Sequence, residues 1–98
     1  MTVKIRPWDA ASHLDSKEMI LAYLEAALED GDPALIAAAI GDVARARGMS
    51  EVAATAGMSR ESLYKSLSTD GNPAFSTILK VLRALDLELT VKPHEHAA

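Results

Sequence analysis

Apolar residues recur along this chain at helical spacing in several separate runs, each bounded by turn-forming residues. Ile20, Tyr23, Leu24, Ala27 and Leu28 share one face at the 3.6-residue period, which predicts a helix running to about Glu29. Asp15 followed by Glu18 has capping-box spacing, with Asp in place of the usual Ser or Thr, and is expected to open that helix. Asp30-Gly31-Asp32-Pro33 then ends one helix and starts the next. Gly31 supplies the stop, Asp32 the cap, and Pro33 the first helical position, where a missing N–H costs nothing. Ile36, Ala39, Ile40 and Val43 mark the inner face of the second helix, which finishes near Arg45-Ala46-Arg47-Gly48.

The stretch from Met49 to Leu67 predicts two short helices broken at Gly57. Val52, Ala53 and Ala56 form the inner face of the first, Leu63 and Leu67 that of the second, and Met58 plugs the corner between them. Ser50 and Ser59 are each placed to cap a helix start, because a hydroxyl can accept from the free N–H groups of the first turn. Gly57 suits the turn because a residue without Cβ takes a positive φ at little cost. This is the helix-turn-helix layout, in which the second helix is offered to a DNA major groove.

Ser68-Thr69-Asp70-Gly71-Asn72-Pro73 is a dense cluster of turn formers. Phe75, Ile78, Leu79, Leu82 and Leu85 then predict a fifth amphipathic helix, ending near Asp86. From Leu87 to Lys92 the period changes to two, which predicts a strand stopped by Pro93. Val3 and Ile5 alternate with Lys4 and Arg6 in a second brief strand. The expected architecture is all-α, five helices around one core, with a short C-terminal strand whose edge pairs with Val3–Arg6 or with a second subunit. One domain spans 15–92, with the helix pair at 49–68, after an N-terminal segment 1–14 and before a tail, 93–98, expected to be mobile. Trp8, the single tryptophan, is read as a packing anchor.

Composition narrows the function. The 98 residues suffice for one core, and 49% apolar with 24% charged residues is ordinary globular composition. No cysteine is present, which removes disulfides, thiolate catalysis and cysteine-ligated zinc, and fits a reducing compartment. No apolar run is long enough to span a bilayer and the N-terminus lacks the apolar core of a signal peptide, so a cytoplasmic protein is expected. The formal net charge of −4 counts against a non-specific nucleic-acid binder and is compatible with a specific reader that has a small basic face. His94 and His96 with Glu95 form a loose tail cluster without supporting residues, His13 stands alone, and no catalytic or phosphate-loop motif occurs. No enzyme, metal or cofactor is expected.

The second helix of the central pair would expose Arg60, Glu61, Ser62, Tyr64 and Lys65. Arg60, in the first turn, can bind a guanine edge bidentately, and Ser62 can reach either base type. Glu61 either accepts from cytosine N4 or repels phosphate and sharpens sequence choice. Lys65 and Tyr64 suit phosphates, although Tyr64 equally suits partial burial. Arg45 and Arg47 either flank the groove or complement the C-terminal end of their own helix dipole.

The run from Ile36 to Val91 resembles the λ-repressor-like (Xre-type) helix-turn-helix proteins. More narrowly, the chain is similar to the small addiction-module antidotes, the antitoxins encoded beside toxins of the RelE superfamily. The residues that carry this are Tyr23 to Leu28, Asp32-Pro33, Ala46 to Ser50, Ser59 to Lys65, Gly71 to Pro73 and Ala84-Leu85. At the start of the first helix of the pair, often Gln in the broader repressors, the chain carries Met49, which puts one usual DNA contact in doubt. The resemblance implies phosphate contacts from Ser50, Ser59 and Asn72, a two-fold homodimer on an operator, and neutralisation of a basic ribonuclease toxin. The acidic first helix (Glu18, Glu25, Glu29, Asp30) and the N-terminal segment are either the toxin-facing surface, where opposite charge would speed association, or simply a solvated face. Two other readings share these residues: a phage-derived repressor without a toxin, and a protein-interaction module of the same fold that has lost DNA binding.

Overall fold

A computed structural model describes residues 16–68 and 70–94. Over these residues the chain forms five α-helices: α1 Lys17–Asp30, α2 Pro33–Arg47, α3 Met49–Ala56, α4 Arg60–Ser66 and α5 Phe75–Ala84. The expected strand Val3–Arg6, the Trp8 anchor, His13, Asp15 and the tail from Glu95 lie outside the described residues.

The helix boundaries follow local chemistry. Ser16, rather than Asp15, caps α1: the Met19 amide donates to its hydroxyl oxygen at 3.1 Å. Met19 is the third helical residue, so Glu18 falls one position short of the place a capping box needs. Gly31 closes α1 in the left-handed region, Asp32 accepts from the Ala34 amide, and Pro33 opens α2, as the sequence predicts. Only Gly48 separates α2 from α3. With so short a joint Gly48 is itself the N-cap of α3, with no side chain to accept from the first-turn amides, and Ser50 lies inside α3 instead of capping it.

Gly57 ends α3 at φ 73°. Its amide donates to Ala54 and the next amide, of Met58, to Ala53 at 2.8 Å, the pair of bonds that closes a helix through a left-handed residue. Met58, half-buried, packs back on the core as the apolar residue of that motif. Ser59 then caps α4 by accepting from the Ser62 amide at 3.0 Å.

The same closure explains why the expected strand at Leu87–Lys92 does not form. Asp86 takes the left-handed conformation at φ 61°, its amide donates to Arg83, and the Leu87 amide donates to Leu82 at 2.8 Å. Leu87 is thus the apolar stop of α5, partly buried on the core. Leu89 and Val91 are exposed, and there is no strand among the described residues for them to pair with. The alternation reads as a strand in sequence, but a strand needs a ladder partner to satisfy its backbone.

α1 packs on α2, and α3 packs on α2, α4 and α5. The core is centred on Leu63, Leu67, Val43, Val52 and Val81, each almost wholly buried. Two predicted faces hold only in part. α5 buries Val81, Leu82 and Leu85 and leaves Phe75 and Leu79 65% and 43% exposed, because the stripe that meets α3 passes through 78, 81, 82 and 85. On α1 Leu24 and Ala27 are buried and Ile20 and Tyr23 pack against the core as expected, and Leu28 alone lies outside, 48% exposed.

Candidate nucleic-acid interface

The outer face of α4 gathers most of the residues singled out from the sequence. Arg60, Glu61, Ser62, Tyr64 and Lys65 are all exposed, because Leu63 is wholly buried and sets the roll of this two-turn helix. Ser59 sits at its N-terminus. Its oxygen is used in capping, and its hydroxyl proton is still available to donate. Arg60 and Tyr64, one helical turn apart, lie together, with the guanidinium carbon 5.8 Å from the ring centroid.

Tyr64 has a second cation beside it. The Arg45 guanidinium of α2 lies 6.0 Å from the same ring. Arg45 also pairs with Asp42, three residues earlier on α2. Asp42 is 3% exposed, the one buried charged residue among the described residues, and it accepts a 2.5 Å hydrogen bond from the Tyr23 hydroxyl of α1. Burial, and donation to the Asp42 carboxylate, push the Tyr23 phenol from 10.0 up to about 12, against a smaller opposing pull from Arg45. Arg47 turns elsewhere. It donates to the Leu85 carbonyl at 3.3 Å and lies 3.7 Å from the exposed Asp86 carboxylate, tying the end of α2 to the end of α5.

The loop after α4 packs closely on it. A Cβ at Gly71 would lie 2.6 Å from the Lys65 carbonyl oxygen and closer still to that of Ser66, so only glycine lets the loop approach. This brings Asn72 into a depression shared with Lys65, Ser66, Ser68, Asp70 and Gly71. Ser50 is exposed in the first turn of α3, and no hydrogen bond or ion pair joins it to α4 among the described residues. Met49, where a DNA contact was in doubt, is buried in the core. The sequence does not single out Asp42; the one sign of it there is a lone acid on the inner face of α2, between Ile40 and Val43.

The arrangement is a small exposed face with three cations, Arg45, Arg60 and Lys65, beside Glu61 and Asp70. Among the described residues no group of His, Asp and Glu could hold a metal ion, and no helix is long and apolar enough to cross a membrane.

Residues 4–93 match the protein family described as "Probable addiction module antidote protein". The chain belongs to this antidote family. The antidote is also 47% identical over 97 residues to an uncharacterized protein of Haemophilus influenzae, covering 99% of this chain and 100% of the relative. No solved structure matches it. The family is one of antidotes and not of enzymes, and an antidote implies a toxin that it neutralises.

Proposed function

We propose that the antidote is also a sequence-specific DNA-binding protein, which represses its own operon as a homodimer and neutralises a ribonuclease toxin of the RelE superfamily. In this reading α3, the Gly57 turn and α4 are a helix-turn-helix, and α4 enters the major groove. The observation that carries it is the outer face of α4, where a capped, exposed helix start presents Arg60, Ser62, Tyr64 and Lys65 together. Arg60 reads guanine, Ser62 an adjacent base edge, and Glu61 selects against unsuitable sequence. Lys65 and Tyr64, with Ser59, Ser50 and Asn72, take phosphates. A helix this short touches few base pairs, which favours two copies with their recognition helices roughly 34 Å apart.

For the toxin, α1 offers Leu21, Glu25 and Leu28 in one exposed stripe with Glu29 beside it, an apolar and acidic surface suited to a basic partner. Glu61, Asp70 and the net charge of −4 favour a second reading, an interaction module that does not bind DNA.

Fluorescence anisotropy with the duplex immediately upstream of the gene, at two salt concentrations, separates these. The DNA reading expects salt-sensitive binding that weakens by about 1–3 kcal/mol on Arg60→Ala. Absent binding leaves the interaction module, and binding indifferent to Arg60 moves the base reading off the start of α4.

A further inference from the structure

Five side chains from three helices make one continuous line. Tyr23 of α1 donates to Asp42, Asp42 pairs with Arg45 on α2, and Arg45 and Arg60 both lie about 6 Å from the Tyr64 ring on α4. The pair joins a buried carboxylate to a half-exposed guanidinium; desolvating the carboxylate offsets much of their attraction, and the best-attested use of such a pair is to hold one arrangement in place of others. Here the arrangement held is that of two guanidiniums at one aromatic ring. Like charges so placed repel, and the Asp42 carboxylate beside Arg45 offsets part of that repulsion. Asp42 engages one terminal nitrogen of Arg45, and the guanidinium has further donors. Among the described residues Arg60 has no carboxylate partner, so the side of the line facing out from α4 stays cationic.

We propose that Asp42, anchored by Tyr23, is a positioning residue for the DNA-reading face: it holds Arg45 at the edge of α4 as a phosphate-binding cation, with Tyr64 as the platform Arg45 shares with Arg60. This rests on the DNA-binding reading and adds to it a contact from α2 and a support from α1, outside the helix pair itself.

Asp42→Asn removes a negative charge from beside the DNA face, so charge counting alone expects tighter binding, and the positioning role expects weaker binding. The full-length protein is titrated into the upstream duplex as wild type, Asp42→Asn, Arg45→Ala and the double variant, with thermal melting followed in parallel. Arg45→Ala is expected to flatten the dependence of log affinity on log salt by about one unit. Asp42→Asn is expected to lose about three- to tenfold in affinity in the wild-type background and nothing further once Arg45 is Ala. Tyr23→Phe removes the anchor and keeps its ring, and is expected to repeat the Arg45-dependent loss; it carries the test if Asp42→Asn does not fold. Unchanged or tighter binding by Asp42→Asn, or an equal loss in both backgrounds, overturns the proposal and leaves the DNA reading standing. A wild type that does not bind the duplex overturns both.

Discussion

Two glycines separate conformational from steric constraint at the scale of single residues. Gly57 has φ 73° with nothing within 4 Å of the place where a Cβ would sit. Gly57→Ala therefore meets no clash and bears the cost of the left-handed backbone alone, roughly 1–2 kcal/mol. Gly41 is ordinary helix, but a Cβ there would lie 2.9 Å from the Leu67 carbonyl oxygen and 3.3 Å from its Cβ. Gly41→Ala must push α2 away from the end of α4, at about 1–3 kcal/mol, which outweighs the better helix propensity of alanine. Urea unfolding of both variants checks this. If Gly41→Ala stabilises the protein, the close approach of α2 and α4 is not as described. Gly41 carried no sign of this role in sequence, since the demand comes from Leu67, 26 residues further on.

Between elements, the tie from α1 to α2 should be visible in pH dependence. In the native state the Tyr23 phenol holds its proton up to about 12, against 10.0 when unfolded. Native protein therefore binds more protons than unfolded protein between those values, and stability falls as pH rises through that window. Below about 10 both states hold the proton and the contribution is constant. Tyr23→Phe should remove this part of the alkaline loss, measured by denaturant unfolding across the window. An identical alkaline profile in the two proteins would exclude it. The inner faces of α3 and α4 were legible because Gly57 and the Ser59 cap fixed the turn between them. α5 was less so: its apolar positions outnumber one face, and the packing on α3 selected Val81 over Phe75 and Leu79.

At the scale of the molecule, the proposed reading gives the two partners different surfaces. DNA meets α4 with Arg45, and the toxin meets the exposed stripe Leu21–Glu25–Leu28 of α1. Leu21 and Leu28 are 43% and 48% exposed, so replacing both with Glu should shift stability by no more than about 1 kcal/mol. The double variant is expected to lose protection when co-expressed with the neighbouring toxin and to keep its DNA affinity and melting temperature. Full protection by this variant would move the toxin contact off α1. Arg60→Ala should do the reverse, weakening DNA binding and leaving protection intact.

What could be read along the chain was local: five helical periods, the stop at Gly31, the caps at Asp32 and Ser59, and the turn at Gly57. Each depends on the backbone groups and side chains of a few neighbouring residues. The exposed residues of α4 were legible for the same reason, since burying Leu63 leaves its neighbours outside. The strand, the exposure of Leu28, Phe75 and Leu79, and the line from Tyr23 through Asp42 and Arg45 to Tyr64 were not. A strand exists only where a partner meets it, and the period cannot tell which of several apolar stripes a neighbouring helix will cover. A buried carboxylate is tolerable only where partners meet it: Arg45 reaches Asp42 from the next turn of α2 itself, but the Tyr23 hydroxyl arrives only because α1 packs on α2.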